Sequence, residues 1–202
     1  HMRAEIEALG GEVRFQQQVV DVLIDELDSS SADGRSRRIG GLRLSNGEVL
    51  HTEHVVLAVG HSARDTFRML HERGVHMEAK PFSIGFRIEH PQTLIDRARF
   101  GSSAGHPILG AADYKLVHHA KNGRSVYSFC MCPGGTVVAA TSEPERVVTN
   151  GMSQYSRNER NANAGIVVGI TPQDYRQDGR SEGAVSPLDG FAFQRYWESR
   201  AY

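Results

Sequence analysis

Cys130 and Cys132 are the first candidates for chemistry, because they are the only cysteines among the 202 residues and stand two positions apart. On an extended strand their Cα atoms would lie about 6.5 Å apart, near the upper limit for a disulfide, so a bridge would be strained. The pair also lacks the further ligands that a closed tetrahedral zinc site requires. We therefore predict two reduced thiols and no metal site. A thiol redox protein that uses this pair remains an alternative.

The strand around the cysteines is predicted to have two unlike faces. Alternation would place the bulky side chains of Tyr127, Phe129 and Met131 in the core. The opposite face is small and weakly polar, which suits close approach of a flat ligand, and it consists of Ser128, Cys130 and Cys132. The next turn consists of Pro133, Gly134 and Gly135. The backbone N–H groups of this turn could make a second contact to that ligand, or the turn could be a plain hairpin turn.

A second candidate lies where an apolar run, residues 54–59, meets a predicted helix. The run predicts a strand covered on both faces, and Gly60, His61 and Ser62 would stand between it and the helix. Exposed N–H groups and the positive end of the helix dipole attract anions or ligand oxygens at such a position. The alternative is structural, with Gly60 permitting a turn and Ser62 capping the helix.

Asparagines make two further polar stretches that flank a predicted loop. The residues in question are Asn150, Asn161 and Asn163. Asparagine is favoured in turns for its own backbone hydrogen bonds, which is one interpretation of both stretches. The other makes them polar contacts for a cofactor ring or a substrate.

Composition and missing motifs exclude several classes. Lys and Arg number 23 against 24 Asp and Glu, without a long basic block, so we predict no nucleic-acid partner. No apolar run approaches the roughly 18 residues needed to cross a bilayer, and two cysteines suit a reducing compartment, so we predict a cytoplasmic protein without a membrane partner. The Gly-rich fingerprint of a dinucleotide cradle is also missing.

The predicted elements fall into two parts, after a remnant of an expression tag at residues 1–2. Residues 3–79 predict an incomplete α/β domain with an antiparallel β-meander, the buried strand and a helix. Asn46-Gly47 predicts a tight type I′ hairpin turn within the meander. Residues 80–202 predict a mainly antiparallel α+β domain with strands at 82–89, 126–131, 136–140 and 165–170 and helices near 94–99 and 191–202, truncated at its C-terminal end. The stretches 28–38 and 171–189 predict polar loops.

Several strings resemble a bacterial family of largely uncharacterised FAD-dependent dehydrogenases with the glutathione-reductase-like dinucleotide fold. The matching strings are Arg3 to Phe15, Gly60 to Thr66, Lys80 to Pro91, Cys130 to Gly135, Thr149 to Ser153 and Asn161 to Ala164. The resemblance implies that the N-terminal cradle for the FAD pyrophosphate and the C-terminal segment that closes over the flavin belong to the same polypeptide but lie outside this chain. Residues 3–79 would then be part of the FAD-binding domain and residues 80–202 a domain that covers the flavin and shapes the substrate pocket.

The resemblance also implies cofactor contacts at matching positions. The backbone of Val19 or Val20 would touch the adenine. The strand end near the cofactor would consist of Ala58, Val59 and Gly60, with His61 and Ser62 beyond it. The resemblance implies that the intact parent is an oxidoreductase of unknown substrate, with NAD(P)H as a possible electron donor and no assigned catalytic residue. It also implies that this chain is inactive by itself and binds little or no FAD. The alternative from another class is a non-catalytic ligand-binding or interaction module on the same architecture.

Overall fold

The computed structural model describes residues 1–27, 36–175 and 185–202, and the chain forms two compact units, residues 1–77 and 78–202. All strand pairings in these described ranges are antiparallel, and four α-helices accompany them. The predicted mixture of helices and antiparallel sheets is therefore confirmed. Within the same ranges, no helix combines the length and apolar character needed to cross a membrane.

The first unit is a three-stranded antiparallel meander with one helix at each end. Its elements are α1 (Met2–Ala8), β1 (Val19–Glu26), β2 (Arg37–Leu44), β3 (Val49–His51) and α2 (Arg64–Glu72), with strand order β1-β2-β3. Arg73, just after α2, pairs through its guanidinium with the Asp21 carboxylate of β1. This ion pair, which lowers the pKa of Asp21, attaches the helix to the meander. Residues 28–35 of the predicted loop lie outside the described ranges.

The predicted hairpin between β2 and β3 is present, but its turn differs from type I′. The Leu44 N–H donates to the Glu48 carbonyl at 2.9 Å, which leaves three residues in the connection. Gly47 has a φ of +89°, and the carboxamide oxygen of Asn46 accepts from the Glu48 N–H at 2.9 Å. Because Asn46 keeps a negative φ, the turn is the three-residue form with a left-handed glycine at its end.

The buried strand predicted at 54–59 is wrong for this chain. These residues belong to no described strand, and the exposed fractions of Val56 and Leu57 are 92% and 50%. An apolar run indicates the environment that a segment suits, but a strand also needs a neighbour that completes its hydrogen bonds. No segment among the described residues pairs with this run.

The second unit joins a four-stranded sheet, a two-stranded ribbon and two helices. Its elements are β4 (Phe82–Pro91), α3 (Gln92–Phe100), β5 (Val117–His119), β6 (Ser125–Cys132), β7 (Gly135–Ala139), β8 (Thr149–Ser153), β9 (Asn161–Ile170) and α4 (Asp189–Ala201). The sheet has the order β4-β9-β6-β5, and β7 pairs with β8. The strands β4, β6, β7 and β9 and both helices were predicted near these bounds. β5 and β8 were missed, and residues 176–184 of the second predicted loop lie outside the described ranges.

The apolar core of this unit lies where α4 meets one end of the sheet. Ile170, Tyr175 and Phe193 are buried there, and Phe82 and Ile84 of β4 pack against them. The rings of Phe82 and Tyr175 lie 5.2 Å apart between centroids, and the Tyr175 hydroxyl donates to the Lys80 carbonyl. Burial raises the pKa of the Tyr175 phenol. The core therefore fixes the first residues of β4 against the helix.

Two glycines on the paired strands β4 and β9 differ in the space around them. A Cβ at Gly85 would lie 1.9 Å from the Ile166 carbonyl oxygen, whereas a Cβ at Gly169 would meet no atom within 4 Å. We expect Gly85→Ala to lower the free energy of unfolding by about 2 kcal/mol or more, because backbone cannot yield as a side chain can. Gly169→Ala is the matched control, with an expected change within about 0.5 kcal/mol. Urea unfolding of both variants measures this, and equal effects would contradict the close approach.

A half-buried ion pair holds the segment that follows β9. Arg124 donates to both carboxylate oxygens of Asp174, at 2.6 and 3.0 Å, and the Thr171 N–H and hydroxyl donate to the same carboxylate. The Arg124 guanidinium, with Thr171, lowers the pKa of Asp174 to about 2.

Because the pKa of Asp174 is lower in the folded than in the unfolded chain, its contribution to stability is present above about pH 4 and is lost as the pH falls towards 2. We expect Asp174→Asn to cost about 1 kcal/mol at neutral pH, after allowance for solvent screening, and less at pH 2. Asp113→Asn, at an exposed position, is the control. Urea unfolding across this pH range tests it, and a cost for Asp174→Asn that is unchanged at pH 2 would count against the ion pair.

Candidate functional site

A β-bulge in β6 changes the faces of the cysteine segment. Phe129 pairs with Gly165 and Cys132 with Asn163, so three steps along β6 match two along β9. Cys130 takes a φ of +46° within this bulge. The predicted alternation is therefore wrong beyond Phe129, because one extra residue reverses it. Cys130 is exposed and Cys132 is 8% exposed. Phe129 lies before the bulge and keeps its place in the alternation, but it is 60% exposed, so its prediction for the core is also wrong.

The turn after the cysteines joins two sheets and is not a hairpin between β6 and β7. β6 lies in the four-stranded sheet, whereas β7 pairs with β8. Gly134 has a φ of +47°, and a Cβ there would lie 1.9 Å from the Arg157 carbonyl oxygen. Its N–H donates to Oε1 of Gln92 at 2.8 Å. This backbone donor, predicted to be open to a ligand, is already used inside the protein.

Gln92, which was not among the predicted site residues, positions this turn from the first residue of α3. Its side chain is almost completely buried, and Nε2 donates to Oδ1 of Asp96 at 2.7 Å and to the Ala112 carbonyl at 3.0 Å. Oδ1 of Asp96 also accepts from the Ala112 N–H at 2.9 Å. No local pattern distinguishes such a residue from an exposed polar residue at a helix start, since its burial depends on distant segments.

Asn163 and Arg87 form the polar centre of the second unit. Asn163 is fully buried, and its Oδ1 accepts from Nη1 of Arg87 at 2.6 Å. The same Nη1 donates to the Cys130 carbonyl at 3.2 Å. A Cβ at Gly151 would lie 2.3 Å from Nη1 of Arg87 and from Oδ1 of Asn163, and 2.7 Å from Sγ of Cys132. The fold thus gathers predicted residues from β6 and β9 around Arg87, which was not predicted.

The asparagine stretches lie in strands β8 and β9, and not in turns as one interpretation held. Nδ2 of Asn161 donates to Oε1 of Glu89 at 2.6 Å, and the Val137 N–H donates to Oε2 at 3.1 Å. These two bonds lower the pKa of Glu89. Oδ1 of Asn150 accepts from the Gly151 N–H at 2.8 Å. Asn161 therefore helps to fix a carboxylate at the edge of the polar centre.

Exposure separates the residues that were predicted to face a flavin or substrate. Those buried by the protein's own atoms are Cys132, Pro133, Gly134, Gly135 and Asn163. Those with surface available to a ligand are the exposed Cys130 and Asn150 and the half-buried Ser128 and Asn161. Oγ of Ser128 accepts from the Leu116 N–H at 2.8 Å. Contact of these residues with a ligand stays a prediction, and the buried residues among them offer a ligand little surface.

The predicted cofactor contacts of the first unit lie on exposed backbone. Ala58, Val59, Gly60 and His61 are exposed, and Ser62 is half-buried. Gly60 has a φ of +73°, and a Cβ there would meet no atom within 4 Å. The predicted cap is wrong, because α2 begins at Arg64 and its N-cap is Ala63.

Val19 and Val20 begin β1. Val19 is half-buried and pairs with Leu44 of β2, whereas Val20 is 41% exposed. Only Val20 of the two offers a largely open side chain. Their contact with an adenine stays a prediction.

The two thiols differ in burial, since Cys130 is exposed and Cys132 is buried. Burial raises the pKa of the Cys132 thiol, the neighbouring Cys130 adds to this, and Arg87 opposes it in part. A neutral buried thiol is a poor nucleophile and a poor metal ligand. Among the described residues, no three His, Cys, Asp or Glu side chains gather in a way that could hold a metal ion.

Comparison with known proteins places this architecture in a class. Residues 81–202 match the family model described as "FAD-dependent protein, C-terminal domain-like", which covers more than half of the chain. The chain belongs to this family. An uncharacterized protein of Clostridium beijerinckii is 45% identical over 203 aligned residues, which span all of this chain and 35% of that protein. The chain thus spans about a third of the length of this relative.

The exposure difference predicts unequal reactivity of the thiols. With a small excess of a chromogenic disulfide reagent at neutral pH, we expect one thiol to react fast and the second at least about tenfold more slowly, because Cys132 is buried with a raised pKa. Cys130→Ser should abolish the fast phase, and Cys132→Ser, the matched control, should retain it. Two fast thiols, or a disulfide between Cys130 and Cys132 after mild oxidation, would instead favour thiol redox chemistry.

Proposed function

We propose that this chain is part of an FAD-dependent oxidoreductase that acts on an unidentified small molecule. The observation that carries the proposal is the family match over residues 81–202, and the relative of about three times the length supports a larger parent polypeptide. In that parent, bound FAD would supply hydride or electron-pair chemistry towards the substrate. NAD(P)H is the proposed source or acceptor of these electrons, and a cytoplasmic location is proposed with it.

The first unit fits a peripheral contact with FAD. Gly60 is exposed at a positive φ with open space where a side chain would stand, so a ligand can approach its backbone. The backbone N–H groups of the exposed residues 58–61, before the nine-residue helix α2, are donors of the kind that suit ribityl or phosphate oxygens. Ala58 to Ser62 and the start of β1 would therefore touch the cofactor. The sequence lacks a Gly-rich cradle, so most of the FAD contact is proposed to come from other segments of the parent.

The second unit is proposed to cover the flavin and to shape the substrate pocket. Its antiparallel sheet is fixed by the core at α4 and by the polar centre around Asn163. Cys130, Asn150, Ser128 and Asn161 are the predicted residues with surface for a ligand. The buried members of the same set hold the bulge and the turn in place.

A non-catalytic module of the same architecture is the alternative, and thiol redox chemistry is a weaker one. The raised pKa of Cys132 and its burial speak against the redox pair, because attack on a disulfide needs a thiolate. The module differs from the oxidoreductase in one measurable property, the absence of a bound flavin in the longer polypeptide.

Flavin content tests the proposal. We expect the full-length Clostridium beijerinckii relative to be purified with about one FAD per chain, reducible by NADH or NADPH, and this 202-residue chain to carry little or none. Absorbance in the visible range and chromatography of the released cofactor measure both. A colourless full-length protein would favour the module, and a stoichiometric flavin on this chain would show that the cradle lies within it.

Gly60 provides a variant test in the longer polypeptide that contains this chain. Gly60→Val should lower flavin occupancy severalfold, because its side chain would fill the space next to the exposed backbone. Gly10→Val is the matched control, since Gly10 has a φ of +85° and is equally open. Both variants carry a similar backbone strain, so equal occupancies would remove Gly60 from the cofactor site.

A further inference from the structure

Arg87 differs from two other half-buried arginines of the second unit in having no carboxylate partner among the residues that the structure describes. Arg124 pairs with Asp174 and Arg195 pairs with Glu143, each through two guanidinium nitrogens. Arg87 is also half-buried, but its hydrogen bonds in the described part of the chain go from Nη1 alone to neutral oxygens. A guanidinium has five N–H donors in a rigid fork, so Nε and Nη2 keep donors to offer.

Asn163 adds a second donor without an acceptor. Its Oδ1 must face Nη1 of Arg87, since a rotated amide would set two donors against each other. Nδ2 is therefore the atom left over, and it is buried without a hydrogen-bond partner among the described residues. Native proteins pair nearly all such buried groups, so an unpaired donor beside an uncompensated cation indicates a missing acceptor.

The nearest carboxylate along β4 does not supply that acceptor. Glu89 lies two residues beyond Arg87, and both of its oxygens accept from other groups, Asn161 and the Val137 N–H. The Cys132 thiol also lies close to Arg87, but burial raises its pKa and keeps it neutral. The polar centre thus combines one positive charge and spare donors, and no carboxylate of the described residues is paired with Arg87.

We propose that Arg87 binds the carboxylate of a small-molecule ligand. The fork of a guanidinium matches the two oxygens of a carboxylate, and such charge-assisted bonds are stronger than those to neutral groups. The ligand would enter beside the exposed Cys130, whose carbonyl helps to hold Arg87. Asn163 acts as a positioning residue, because it fixes Nη1 from the buried side. If the proposed oxidoreductase function holds, on which this last step rests, the substrate class is a small carboxylic acid.

The test uses this chain and needs no flavin, so its failure is distinguishable from failure of the proposed function. Benzoate, acetate and inorganic phosphate are titrated into ¹⁵N-labelled protein, and the Nε–H signal of Arg87, assigned with Arg87→Lys, is followed. We expect saturable shifts of this signal with the carboxylates. Arg87→Gln should weaken benzoate binding at least about tenfold. Arg99→Gln, which removes an exposed cation of α3, should leave it unchanged.

Asn163→Asp provides a variant that preserves shape. Its carboxylate would stand against Nη1 of Arg87 and supply the missing anion from within. We expect the affinity for benzoate to fall at least about tenfold, while the circular dichroism spectrum stays that of the unsubstituted 202-residue chain. An Arg87 signal that does not respond to any carboxylate, or Asn163→Asp that folds and binds benzoate as before, would overturn the proposal. A response to phosphate at lower concentrations than to carboxylates would overturn the assignment of the ligand class.

Discussion

The ladder between β4 and β9 is the constraint on which the second unit depends. Ten residue pairs, from Phe82 with Ile170 to Pro91 with Asn161, set the register of the central strand. At one end the ladder brings Phe82 and Ile170 to the core under α4, and at the other it places Asn163 opposite Glu89. This register is strongly specified, since a shift by one residue would turn every side chain to the other face and would bring a residue with a Cβ to the close approach that Gly85 makes with the Ile166 carbonyl.

The register also determines where polar groups can be buried. Asn163 lies between Glu89 on β4 and Cys132 on β6, so it is enclosed on both sides by backbone. An amide in that position needs partners, and Arg87 is the side chain that reaches it. The bulge at Cys130 belongs to the same arrangement, because the carbonyl of Cys130 accepts a hydrogen bond from the same guanidinium. One buried asparagine thus connects the sheet, the bulge and the exposed thiol.

Local patterns were sufficient to predict the elements that depend on local interactions. Alternating apolar residues located β4, helix-forming residues located α3 and α4, and Asn46-Gly47 located the hairpin between β2 and β3. The bulge at Cys130 was missed because it is a property of the pairing between β6 and β9, which no window along β6 contains. The strand positions of Asn161 and Asn163 were missed because asparagine favours turns, and here pairing with β4 and β6 overrides that preference.

The candidate site shows why distinctive strings do not by themselves identify ligand contacts. Pro133 and Gly134 belong to one of the strings that resemble the family, yet both are buried, and Gly134 is needed where a Cβ would strike the Arg157 carbonyl. Such residues are explained by the turn they make. Arg87 was not singled out from its string, but a half-buried cation without a carboxylate partner in the described ranges is left unexplained by folding alone. Once packing accounts for the first kind of residue, the second kind is where binding chemistry is to be sought.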